Sequence, residues 1–64
     1  MKLEPDVEAA VLGRTSLREA RAAFEAGYIA EVLRQQAGNV SRAALALGLS
    51  RVMLHRKLRK YGLR

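Results

Sequence analysis

Arg51, Val52, His55 and Arg56 follow directly on Gly48-Leu49-Ser50 at helical spacing, so a helix starting at Arg51 carries all four on one side of its first turns. A guanidinium presents a planar fork of donors that matches guanine O6 and N7, an imidazole can donate or accept, and a small apolar side chain can touch a thymine methyl. This is the chemistry of reading base edges. Arg51 is the informative member, because a cation in the first turn faces the positive end of the helix dipole and costs about 0.3–1 kcal/mol. Helix stability does not account for it, whereas a base contact worth roughly 1–3 kcal/mol in discrimination does. Arg59 and Lys60 differ: at the C-terminal end cations stabilise the helix with or without a ligand.

The charge is confined to one part of the chain. Residues 1–38 hold five basic and six acidic side chains, net −1; residues 39–64 hold seven basic and none acidic, net +7. The overall +6 implies attraction to polyanions, and the segregation says which segment meets them. The 64 residues include no Cys and one His, so neither disulfides nor a Cys/His metal site can reinforce a core this small. Oligomerisation is the remaining route. No run of apolar residues approaches the roughly 20 needed to span a bilayer, and no secretory leader is recognisable, which points to the cytoplasm. The chain has no Gly-rich phosphate loop and no paired carboxylates near a His, so an enzyme is not expected, nor is a metal or other cofactor.

An all-α fold follows from the composition, rich in Ala, Leu and Arg, with one Thr and one Ile. Ser16-Leu17-Arg18-Glu19 has the spacing of a capping box, which places the start of a long helix over residues 16–37 and its stop at Gly38. Asn39 caps a second helix over 40–47, and Ser50 caps a third over 51–61 that ends at Gly62. Residues 1–15 form a linker or a short helix carrying Val7, Ala10 and Val11 and stopped by Gly13. Leu54, Leu58 and Tyr61 share one face of the third helix and are expected to dock on Val40, Ala44, Leu47 and Leu49, with Ala43 and Ala44 small where the helices cross. The second helix is too short to persist alone. Two short helices around a Gly-containing three-residue turn make a helix-turn-helix, whose second helix enters the DNA major groove.

The long helix is apolar over more than one stripe. Ile29, Val32 and Leu33 are expected to cover the helix-turn-helix, leaving Leu17, Ala20, Phe24, Gly27 and Tyr28 for a second subunit. An interior helical Gly costs about 1 kcal/mol relative to Ala, and close backbone approach at Gly27 would offset it. Asn39, Ser41 and Arg42 crowd the start of the second helix, where free N–H groups favour a phosphate; simple capping is the competing reading of the same residues. The full set of candidate phosphate contacts is Asn39, Ser41, Arg42, Ser50, Met53, Lys57, Arg59 and Lys60.

The run Gly38-Asn39-Val40-Ser41-Arg42-Ala43-Ala44, then Leu47-Gly48-Leu49-Ser50-Arg51, then Leu54 through Gly62, resembles the Fis-type helix-turn-helix found in NtrC-type enhancer-binding activators and in architectural nucleoid proteins. The resemblance implies a homodimer joined by the long helix, with two recognition helices in successive major grooves of bent duplex DNA. It places Arg51 and Arg56 at base or phosphate contacts and Asn39 and Ser41 on the backbone. Met53 stands where a small hydroxyl residue is common, and His55 where Tyr or Arg is frequent. The long helix favours the DNA-reading domain of an activator, with other domains of that parent as further partners. The alternatives are a free-standing architectural protein or, in a different class, a dimerisation or regulatory module whose basic face meets an acidic protein.

Overall fold

The computed structural model describes residue 13 and residues 15–63, and the expectation of a short N-terminal helix lies outside them. Among the described residues all regular structure is helical: α1 (Leu17–Gln35), α2 (Val40–Leu47) and α3 (Arg51–Lys60). Each begins on a polar cap whose oxygen takes up an orphan donor of the first turn. Ser16 Oγ accepts from the Glu19 amide at 3.1 Å, Asn39 Oδ1 from Arg42 at 3.0 Å, and Ser50 Oγ from Met53 at 3.1 Å.

The ends obey one rule as well. At the close of α2 the Gly48 amide donates to Leu45 O and the Leu49 amide to Ala44 O, which requires a left-handed residue between, and Gly48 takes φ 70°. This reversal is the turn of the helix-turn-helix, and it leaves Leu49 turned back onto the core. The long helix stops two residues before the expected position. The Ala37 amide donates to Arg34 O and the Gly38 amide to Leu33 O, so Ala37 holds the left-handed site at φ 54° and Gly38 follows at 79°. An L-residue there costs roughly 1–2 kcal/mol. Packing of Leu33 and Val40 against the common core offsets that strain by fixing where α1 must end and α2 begin.

The core is small: Ile29 and Val32 from α1, Ala43 and Ala44 from α2, Leu54 and Leu58 from α3, with Leu33, Val40, Leu47, Leu49, Tyr61 and Leu63 packed around it. Ala43 and Ala44 are buried, and their small side chains let α1 and α3 approach α2 from either side. Within α1 the C-terminal half covers the helix-turn-helix through Ile29 and Val32, while Leu17 is 76% exposed.

Candidate nucleic-acid interface

With Leu54 and Leu58 turned inward, the rest of α3 is presented outward. Arg51, Val52, Met53, His55, Arg56, Arg59 and Lys60 are all exposed. Val52 is a β-branched side chain left 62% open among cations, and it packs into no core among the described residues. Cap geometry sets the orientation of this face: the Ser50 hydroxyl accepts from Met53, so α3 starts at Arg51 and its first turn carries Arg51 and Val52 at the tip. Asn39, Ser41 and Arg42 are exposed at the start of α2. Asn39 is engaged as a cap through Oδ1 alone, and its amide nitrogen keeps its donors; the Ser50 hydroxyl likewise keeps its proton to donate. Capping and phosphate contact are therefore compatible at both positions.

Lys57 is placed differently from the rest of the candidates. Its Nζ lies 2.7 Å from Glu25 Oε1 of α1, and the side chain is only 24% exposed. The Tyr61 hydroxyl, one turn further along α3, donates to the other oxygen of the same carboxylate. Lys57, expected at a phosphate, is here paired with a carboxylate of its own chain. The Lys57 and Tyr61 hydrogen bonds hold the Glu25 carboxyl below its ordinary value of 4.5, with the charges of Lys57 and Lys60 adding to the effect. The same contact raises the Tyr61 phenol above 10.0. Stability from the carboxylate is thus present above pH 4.5 and lost as the pH falls through the lowered value. Stability from the phenol is present below pH 10.0 and lost as the pH rises through the raised one. Lys60 stays exposed, its Nζ 5.5 Å from the centre of the Tyr61 ring.

Along α1, Leu17, Gly27 and Tyr28 are exposed and Ala20 and Phe24 half-buried. Phe24 and Tyr28 pair with ring centroids 5.7 Å apart. Leu17, Ala20, Phe24 and Tyr28 line an open groove that runs beside Leu47, Leu49 and Tyr61, with Arg18, Arg21, Lys57 and Lys60 also along it. A Cβ on Gly27 would meet nothing within 4 Å among the described residues, so none of them explains the glycine. Glu31, the buried charge of α1 among the described residues, is paired with Arg34 one turn on, whose Nε is 3.1 Å from Oε2.

Residues 20–61, which span most of α1 and the whole helix-turn-helix, match the Fis family of bacterial regulatory proteins. The chain belongs to that family. It is 45% identical over 58 residues to the regulatory protein AtoC of Escherichia coli (strain K12), a match covering 91% of this chain and 13% of that protein. It is 48% identical over 46 residues to the nitrogen assimilation regulatory protein NtrX of Azorhizobium caulinodans, covering 72% of this chain and 10% of that protein. The chain therefore spans only about a tenth of the length of these relatives. No solved structure matches it.

As a member of the Fis family, the chain is a helix-turn-helix DNA-binding domain of the transcription-regulator type. Among the described residues there is no cluster of His, Cys, Asp or Glu that could hold a metal ion, and no helix is long and apolar enough to cross a membrane. Sequence reasoning missed Glu25. A signal was present: residues 39–64 contain no carboxylate, so a lysine on the inward side of α3 could find an anion only in the first part of the chain.

Proposed function

We propose that this chain binds duplex DNA sequence-specifically as a homodimer and serves as the DNA-reading domain of an NtrC-type transcriptional regulator. The observation that carries the reading is the outward face of α3, where Arg51, Val52, His55 and Arg56 stand exposed opposite the buried Leu54 and Leu58. Arg51 and Arg56 supply forked donors for base edges, Val52 an apolar contact, and His55 a donor or acceptor between them. Asn39, Ser41, Arg42, Ser50, Arg59 and Lys60 serve the phosphates that fix the register, and exposed Met53 meets the same backbone by apolar contact. In a regulator of the AtoC or NtrX kind such a domain locates the protein on DNA, and the remaining activity belongs to other parts of the polypeptide.

Selection from random duplexes at a stated salt concentration tests this directly. The expected product is a two-fold symmetric site. Arg51→Ala should weaken that site by about 1–3 kcal/mol, roughly 5- to 150-fold, with a smaller change on unrelated duplexes. Absence of enrichment, with heparin bound as well as every duplex, would leave only nonspecific electrostatics and favour the acidic-protein partner instead.

Dimerisation through α1 is supported by the stripe of exposed Leu17 and Tyr28 and half-buried Ala20 and Phe24, with Gly27 open beside it. A second copy laid on this stripe would bury the Phe24–Tyr28 pair and meet no side chain at Gly27. Phe24→Glu is expected to move the chain toward monomer in sedimentation and to weaken binding to the symmetric site; an unchanged dimer would place the interface elsewhere.

A further inference from the structure

We propose that Glu25 is a positioning residue for DNA recognition: it holds α3 at a fixed orientation on α1 through Lys57 and Tyr61, and in doing so withdraws Lys57 from the phosphate backbone. The inference rests on the DNA-binding reading above and assigns a specificity role to a carboxylate outside the helix-turn-helix.

Three observations carry it. Lys57–Glu25 is the only ion pair joining two helices among the described residues, since the other, Arg34–Glu31, lies within α1. Its two ends are 32 residues apart in the chain. Within α3, Lys57 is the one described cation that is not exposed; Arg51, Arg56, Arg59 and Lys60 all are. Glu25 also takes two donors four residues apart, Lys57 Nζ from α3 and Tyr61 Oη from its C-terminal cap, one on each carboxylate oxygen. A single contact permits rotation about itself. Two contacts on one planar group fix both the roll and the tilt of α3 relative to α1. The fully buried apolar side chains that these two helices contribute to the core are Ile29 and Val32 from α1 and Leu54 and Leu58 from α3, a small set on which to fix an orientation. Base-edge contacts require side chains held within about 0.5 Å and 10–20°, and two polar ties to one carboxylate narrow the freedom of α3 toward that tolerance. Were Lys57 released, it would add a phosphate contact of no sequence value.

The salt dependence of binding separates this role from a merely structural one. Glu25→Gln keeps the shape of the side chain and removes the charge. In the full chain it should steepen the plot of log affinity against log salt by about 0.9 for each protomer engaged, because Lys57 gains a phosphate. It should also lower the ratio of specific to nonspecific affinity by roughly twofold or more, the low end for residues sharing one ion-paired network. Lys57→Met should leave the slope as in the wild type while lowering the same ratio. In Glu25→Gln/Lys57→Met the steepening should vanish. Tyr61→Phe, which keeps the Lys57 pair, should lower the ratio without changing the slope, and it covers the case in which Glu25→Gln does not fold, as judged by helical circular dichroism. If Lys57→Met instead flattens the slope by about 0.9 per protomer, Lys57 is an ordinary phosphate contact and the proposal fails while DNA binding stands. If the ratio is unchanged in all the folded variants, Glu25 positions nothing. A wild-type chain with no preferred duplex would remove the DNA-binding reading itself, and this proposal with it.

Discussion

Raising the salt from 50 to 200 mM is expected to weaken binding to the preferred duplex by about 10³–10⁵-fold, provided that roughly 6–10 phosphates are contacted. The number follows from where the cations lie. Arg42, Arg59 and Lys60 are exposed on the two helices of the helix-turn-helix, the proposed reading gives Arg51 and Arg56 to base edges, and Lys57 is paired with Glu25. Two protomers bring the exposed set within the stated range. A single protomer would contact about half as many phosphates, and its affinity would fall by only about 10²-fold over the same interval. Fluorescence anisotropy across the salt range, on the selected duplex and on an unrelated one, therefore reports oligomeric engagement as well as electrostatics. A slope near zero would show that the basic face does not meet a polyphosphate.

Leu54→Ala is expected to cost about 2–5 kcal/mol, the range for removing a fully buried leucine. Leu54 is 0% exposed, and its immediate surroundings include Ala43 and Ala44, which are too short to close over the cavity. Domains carry roughly 0.05–0.15 kcal/mol of stability per residue, so for this length the loss is a large share of the total. At about 4–8 °C per kcal/mol for chains of this size, the melting midpoint should drop by tens of degrees. Leu45→Ala provides the contrast: Leu45 is 82% exposed, and its replacement should change stability by less than about 0.5 kcal/mol. Both are read by thermal unfolding at one fixed protein concentration, since self-association would make the midpoint depend on it. A loss below about 1 kcal/mol for Leu54→Ala would place the core away from the α2–α3 contact.

Much of the candidate interface was legible in the chain because it is written in local chemistry. Ser16, Asn39 and Ser50 are short polar side chains that reach the amide three residues on, and each starts a helix in the structure. The separation of Leu54 and Leu58 from Arg51, His55 and Arg56 is helical periodicity alone, and it survives intact as buried and exposed faces. The end of α1 was less legible. Gly38 can adopt a left-handed conformation at the lowest cost, yet Ala37 occupies the capping position, because the direction in which Val40 must enter the core decides which carbonyls the turn claims.

What the amino-acid order by itself determined is therefore the set of helices, the turn between the last two, and the segregation of positive charge onto the final segment, since these depend on bonds and spacings only a few residues long. What only the tertiary structure decided is the state of individual groups at long range: Lys57 paired with a carboxylate 32 residues earlier, and Glu25 given two donors. Those outcomes depend on the angle at which α1 crosses the helix-turn-helix. That angle is set by the combined packing of Ile29, Val32, Ala43, Ala44, Leu54 and Leu58, and no local spacing encodes it.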